Sequence, residues 1–470
     1  MRTTSLTKQT AFLMAGRMLA FPLAFLVPII LVRYFSVKEF GYYKQLFLIF
    51  YVVIPIIDFG ISNSLFYFIP KYPEIKDRIL SHTFIILSII SVIVAISFWK
   101  LNTEIALIFT GSIALTPFIP YIGIFAVLWL FSTNLEIILI AEKKAFWAAI
   151  ITFLSDATKS ILTIGSVMLG GGLKEVLYAL IITATLKLIL MSVYLIKKKM
   201  IYLGYWDKKL VISQLKYAIP FGAAVIVTGI VTRSHQYIVS VLEGASVFAI
   251  YSVGCFQIPF LSIVEDSVAQ TSLVRMTELT KIDNGLIEIA LIISNSIRKL
   301  WILFFPAFIF FFINADNFVI LLFTESYRES IPIFRIFILL IPLSAILIRH
   351  VPRAFAETGF LLKNNCIYLI LTIILSLIFI KIWGISGPAI GYIIANAIWK
   401  MIFLIKCKSI LKVGFKELLP IKSIFRVTFT TICIGVVNYF LLDLWPNNLM
   451  ISLTLSFTIF VLLCTVVFWV

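Results

Sequence analysis

The sequence predicts an all-α polytopic membrane protein of about fourteen spanning helices: two related six-helix lobes in a pseudo-twofold arrangement, followed by a final pair. Three observations carry this. Of the 470 residues, 61% are hydrophobic and 13% charged, at a mean hydropathy of +1.09, where soluble proteins run at roughly 45–50% and about 25%. The apolar residues fall in windows of about 20, the length that crosses a hydrocarbon core at about 1.5 Å per residue. Short motifs also recur between the two halves. Phe40-Gly41-Tyr42-Tyr43 after the first span returns as Phe248-Ala249-Ile250-Tyr251 after the seventh, and Gly171 and Lys187 are spaced as Gly384 and Lys400 are.

Taken in order, the windows place spans near 10 to 32, 42 to 68, 80 to 99, 105 to 131, 145 to 169 and 175 to 196. Those residues and the segments joining them make an N-terminal lobe over 1–196. A basic linker over 197–216 carries Lys197-Lys198-Lys199 and Lys208-Lys209. The second lobe, 217–407, holds spans near 217 to 241, 247 to 270, 290 to 313, 331 to 356, 365 to 383 and 387 to 406. Residues 408–470 supply a second basic loop and spans near 421 to 442 and 449 to 469. The longest connection is expected over 271 to 289, with Asn284-Gly285 as a turn signal. No connection leaves room for a separate soluble domain, which excludes a soluble catalytic module.

The formal net charge of +17 does not point to nucleic acid, because phosphate-binding patches need a water-exposed surface and these lysines sit in short loops. With the N-terminus inside, about 26 of the 39 Lys and Arg residues fall on one face and about 8 on the other. The positive-inside rule then puts both termini in the cytoplasm, with the basic loops facing anionic lipid headgroups. Cys255, Cys366, Cys407, Cys433 and Cys464 lie singly, without metal or redox spacing. No Gly-rich phosphate loop or His-Glu-x-x-His pair occurs, and His82, His235 and His350 are scattered. An enzyme is therefore not expected, nor is a bound cofactor or metal.

What remains is the set of ionisable residues inside apolar windows, each costly there and hence informative. They are Arg17, Asp58, Asp156, Lys159, Lys187, Arg233 and Lys400. Asp156 and Lys159 are three apart on one helix, so they share a face and can neutralise one another or serve a transport role. Arg17 and Asp58 lie at similar depths on consecutive helices, which allows a second structural pair. Lys187, Arg233 and Lys400 show no partner within their windows. An unpaired buried cation is costly, so these three are expected to line a wet cationic cavity that takes an anionic group such as a diphosphate; snorkelling is the competing account. Arg349 and Arg353, beside His350, offer a cluster where a headgroup is first captured, with ordinary positive-inside charge as the alternative. Gly16, Pro22 and Pro28 in span one, Pro117 and Pro120 in span four, and Pro332, Pro342 and Pro352 in span ten mark sites of expected helix distortion.

Gly16 to Tyr43, with Arg33-Tyr34-Phe35 and Glu39-Phe40-Gly41-Tyr42-Tyr43, and then Asp58-Phe59-Gly60, resembles the opening of a known family. That family is the polysaccharide-transporter branch of the multidrug/oligosaccharidyl-lipid/polysaccharide exporter superfamily, to which the Wzx-type O-antigen flippases belong. Tyr251-Ser252-Val253-Gly254 and Gly384-Ile385-Ser386-Gly387-Pro388-Ala389-Ile390-Gly391 are similar to its later stretches. The resemblance implies a MATE-like fold in a bacterial inner membrane. It implies a flippase moving an undecaprenyl-diphosphate-linked oligosaccharide for lipopolysaccharide or related glycan synthesis by alternating access. It also implies Arg17 as the first-helix arginine of a cationic cavity, coupling to a proton or sodium gradient, and a polysaccharide polymerase or chain-length machinery as neighbours. Two rivals stay open: a cation-coupled multidrug antiporter of the same superfamily, and a membrane glycan polymerase or glycosyltransferase.

Overall fold

A computed structural model describes residues 6–200, 207–280, 282, 285–355, 357–442 and 448–469; the side chains of 6–14, 17, 259, 274, 358, 442 and 466–469 also lie outside the description. Every regular element among the described residues is helical. Packing divides the chain into two units, Met1–Arg233 with Val239–Ala249, and Ser234–Ile238 with Ile250–Val470.

The first unit contains α1 (Leu6–Tyr34), α2 (Val37–Asp58), α3 (Ile61–Lys71), α4 (Lys76–Lys100), α5 (Asn102–Thr110), α6 (Ile119–Ala141), α7 (Ala145–Met168), α8 (Leu173–Lys197) and most of α9 (Lys208–Gly254). α1 runs unbroken through Pro22 and Pro28. The window expected as one span over 42 to 68 is two helices, because Phe59 and Gly60 take left-handed backbone at φ 44° and 78°. Asp58 closes the break: its Oδ1 accepts from the Ser62 N–H at 3.0 Å and its Oδ2 from Asn63 Nδ2 at 3.4 Å. α9 crosses at this break. A Cβ on Gly222 would lie 2.3 Å from the Phe59 carbonyl carbon, so two backbones meet here with nothing between them.

The span expected over 105 to 131 is likewise divided. α5 ends at Gly111 in left-handed backbone, a 3-10 turn follows over Ile113–Phe118, and α6 starts at Ile119 with Pro120 in its first turn. Pro120 therefore launches a helix and does not kink one, since a proline in the first turn has no backbone N–H to waste, and Pro117 lies inside the 3-10 turn. A buried cluster of Leu65, Phe68, Leu80, Phe84, Leu135, Leu139 and Met191 joins α3, α4, α6 and α8. Between α6 and α7, Glu142 holds Lys76, Lys144 and Tyr194 together. Burial raises its carboxyl, but the hydrogen bonds from Lys144 and Lys76 outweigh that and hold it below the usual carboxylate range.

The second unit contains α10 (Pro259–Leu279), α11 (Gly285–Ile313), α12 (Ala315–Phe323), α13 (Ile331–Phe337), α14 (Leu340–Ser344), α15 (His350–Ala354), α16 (Thr358–Trp383), α17 (Gly387–Leu411), α18 (Phe415–Leu418), α19 (Ile421–Leu442) and α20 (Leu449–Trp469). Most of the connection expected over 271 to 289 is helix, belonging to α10 and α11; Asn284 lies outside the described residues. The window at 331 to 356 is no single helix but the short α13, α14 and α15, with Pro332, Pro342 and Pro352 spaced along it. The final pair docks on α11 through buried polar groups, Ser456 Oγ lying 2.8 Å from Asn438 Oδ1 and 3.0 Å from Asn314 Oδ1.

Nine helical stretches among the described residues are long and apolar enough to cross a membrane, with shorter apolar helices at Met18–Tyr34 and Leu449–Thr465. The number among the described residues is smaller than the expected fourteen. α9 merges 47 residues across a kink at Gly244, and α16 and α17 count as one stretch. The windows at 247 to 270 and 331 to 356 are charged or broken. The protein is nonetheless a multi-span all-α membrane protein.

The Gly222 contact yields a paired expectation. Gly222→Ala should push α9 off the α2–α3 turn and destabilise the detergent-solubilised protein by about 1–3 kcal/mol, the cost of overpacking. At Gly229 a Cβ meets only Pro55 Cγ at 3.8 Å, so Gly229→Ala should leave the thermal midpoint equal or higher; equal midpoints for the two variants would contradict the close approach.

Candidate functional site

In the first unit, the ionisable residues of three helices collect around one ring. Trp129 on α6 has Lys159 Nζ of α7 at 4.7 Å from its centroid and Lys187 Nζ of α8 at 4.6 Å. Each ammonium also has a carboxylate: Lys159 donates to Asp156 Oδ1 at 2.8 Å, and Lys187 lies 2.9 Å from Glu136 Oε1. The second pair corrects the expectation that Lys187 stands unpaired. Its side chain is 3% exposed and Glu136 18%, so an uncompensated charge there would not persist. α6 extends to Ala141 because the helix starts late, after the broken segment, and this carries Glu136 deeper than the window at 105 to 131 allowed.

Arg233 is also partnered. Its guanidinium carbon lies 4.5 Å from the Tyr51 ring centroid on α2, a cation–π contact, and its Nη1 donates to Thr232 Oγ1 at 3.3 Å. Asp58 is spent on the α3 N-terminus, as described above. Arg17 belongs to α1, but its side chain lies outside the described residues. The two acidic–basic pairs around Trp129 balance, so this cluster offers an anionic ligand no surplus charge.

In the second unit, the site sits at the break between α14 and α15. The break of α14 and α15 frees carbonyls that a continuous helix would consume internally. Ile346 O accepts from Lys400 Nζ of α17 at 3.2 Å, and Ile348 O accepts both from the Val351 N–H at 3.2 Å and from the Cys407 thiol at 3.2 Å. Lys400 is half-buried, and the expectation that it lacks a partner is corrected by this carbonyl and by Glu265 of α10, whose charge acts on it. Arg349, in the same break, lies with Nη2 3.9 Å from Glu265 Oε1 and donates from Nε to His350 Nε2 at 3.2 Å. Arg353 follows on α15 and is exposed. Arg349, Arg353 and Lys400 thus act near one point, against Glu265 and the exposed Asp266 beside it.

The structure brings Lys400, Arg349 and Arg353 together and keeps Lys159 with Lys187 in the other unit. Glu136, Trp129 and Glu265 were not singled out from sequence. The signal for Glu265 was present, a carboxylate within the window at 247 to 270; the signal for Glu136 was hidden by the shifted helix.

The sequence profile of the family described as polysaccharide biosynthesis protein matches residues 6–264, more than half of the chain. The chain belongs to that family. A search of curated proteins by sequence finds no match. Among solved structures, this chain is similar to the lipid II flippase MurJ in an inward closed conformation, at TM-score 0.71 and 17% identity over 97% of this chain and 98% of that one. It is similar to a MOP superfamily transporter from Pyrococcus furiosus Vc1, at TM-score 0.61 and 16% identity over 88% and 98%. An inward-facing multidrug resistance MATE family transporter matches at TM-score 0.66 and 15% identity over 83% and 94%. The chain therefore has the fold shared by MurJ and the MATE transporters.

The Lys187–Glu136 pair separates charge neutralisation from ligand contact. Lys187→Met should strand Glu136 and lower stability by about 3 kcal/mol, read as an earlier unfolding midpoint in denaturing detergent. Lys187→Met with Glu136→Gln should recover most of that loss. No recovery in the double variant would return Lys187 to the ligand.

Proposed function

We propose that this protein is a lipid-linked oligosaccharide flippase. It translocates undecaprenyl-diphosphate-linked repeat units from the cytoplasmic to the periplasmic leaflet of a bacterial inner membrane by alternating access, with both termini cytoplasmic. Lipopolysaccharide O-antigen and related surface glycans are the products it serves. The observation that carries the reading is the likeness, over nearly the full length of both chains, to a lipid II flippase, in a chain belonging to a polysaccharide biosynthesis family.

Charge supports the substrate class. The surplus of cations at Arg349, Arg353 and Lys400 suits the phosphates of a diphosphate headgroup: arginine offers forked hydrogen bonds, lysine a point charge. Arg17 and Arg233 are the first unit's contributors in this reading, and Lys187 is assigned to neutralising Glu136. The polyprenyl tail stays in lipid, so no site for it is required within the helices. Coupling to a proton or sodium gradient, with Asp58 or Asp156 as acidic carriers, and hand-over to a polymerase complete the proposal. Asp58 is the weaker of the two carriers, since it already caps α3.

A strain lacking this gene should accumulate lipid-linked repeat units in the cytoplasmic leaflet and lose surface glycan. Complementation with Arg17→Ala or with Lys400→Ala should restore the membrane level of the protein but less than about one tenth of the glycan, since loss of a charge-assisted contact is worth on the order of tenfold or more. Full glycan with both variants would count against the assignment. Export of cationic dyes, in their place, would favour the multidrug antiporter.

A further inference from the structure

The second unit's cations are not empty-handed. Glu265 of α10 sits 20% exposed with its Oε1 3.9 Å from Arg349 Nη2, a distance at the limit of an ion pair and beyond a hydrogen bond. The charges acting on it are Arg349, Lys400 and Asp266. From α11, the other helix packed on α10, the contact is the Ser272–Ser296 hydrogen bond at 3.1 Å, without a charge. Arg349 is 44% exposed, and of its five N–H donors one is hydrogen-bonded among the described residues, to His350. Lys400 gives one of its three N–H groups to Ile346 O. The carboxylate is thus close enough to neutralise two cations and too far to satisfy either by hydrogen bonding. A phosphoryl oxygen at about 2.8 Å from the same groups would do what it does not.

We infer that Glu265 is an internal counter-anion that occupies the Arg349–Lys400 site in the substrate-free protein and is displaced by the phosphoryl oxygens of the headgroup. The inference rests on the flippase reading and adds a specificity-determining residue to it. Loose pairing has two consequences. The cations are stabilised in the half-buried site while no substrate is present, and a bound headgroup is pushed off again by a carboxylate waiting within reach. Glu265 therefore weakens binding and speeds release, the opposite of a binding residue.

The test uses full-length purified protein with farnesyl diphosphate as the headgroup probe, inorganic pyrophosphate as the headgroup without a tail, and farnesol as the tail without a headgroup. Glu265→Gln should tighten farnesyl diphosphate by about tenfold and pyrophosphate by a similar factor, and leave farnesol unchanged. In proteoliposomes the same variant should lower both the half-saturating substrate concentration and the turnover. A misfolded or merely loosened variant would not lower the half-saturating concentration. Glu265→Asp, which keeps the charge on a shorter arm, should fall between the wild type and Glu265→Gln, and Arg349→Ala should remove the gain from Glu265→Gln. Weaker or unchanged diphosphate binding in Glu265→Gln, where wild-type binding is seen and needs Arg349, overturns this inference and leaves the flippase reading standing. A gain that appears equally with farnesol overturns it too. Failure of the wild-type protein to bind either diphosphate overturns both.

Discussion

Every buried charge in this protein has to be answered inside an apolar helical lobe, because the surrounding medium offers neither water nor counterions. Two different answers are used. In the first unit Lys187 meets Glu136 and the face of Trp129, so the lysine, its counter-charge and a polarisable ring come from neighbouring helices. In the second unit Lys400 meets the backbone, through the carbonyl of Ile346. Side chains answer the first charge; a broken helix answers the second. Lys187 and Lys400 hold matching places after Gly171 and Gly384, yet only the second is left beside surplus cations. That difference is why the cluster around Trp129 has no surplus charge and the cluster around Lys400 has one.

The helix breaks follow the same logic at the scale of the backbone. Left-handed Phe59 and Gly60 divide α2 from α3, and Asp58 and the crossing α9 seal the gap. The divided stretch over α13 to α15 is sealed in part by side chains of α17, Lys400 and Cys407. In an apolar medium a free carbonyl or N–H is costly, so each interruption has to be matched by a donor or acceptor from a neighbouring element. These interruptions fix where polar chemistry can sit.

Hydropathy made the membrane fold legible: the windows at 145 to 169, 175 to 196 and 290 to 313 fall on α7, α8 and α11 with small shifts at the ends. It could not register backbone conformation. A window average over 42 to 68 or 331 to 356 is equally apolar whether the chain is one helix or several, and so it hides the turns at Phe59-Gly60 and after Ser344. The cations were legible as residue types, because lysine and arginine stand out against leucine and phenylalanine. Their partners were not. Glu136 lies beyond the window because α6 begins late, the Tyr51 ring is one aromatic residue among many, and a main-chain carbonyl such as that of Ile346 leaves no mark in a sequence at all.

The carbonyl beneath Lys400 has a further implication for anyone seeking a sturdier version of this protein. Substitutions that favour an unbroken helix between α14 and α15 would offer the carbonyl of Ile346 to the His350 N–H four residues on and withdraw the oxygen on which the ammonium rests. Regularity and charge compete for the same carbonyl in this stretch, so a more regular helix would leave the Lys400 ammonium with one acceptor fewer.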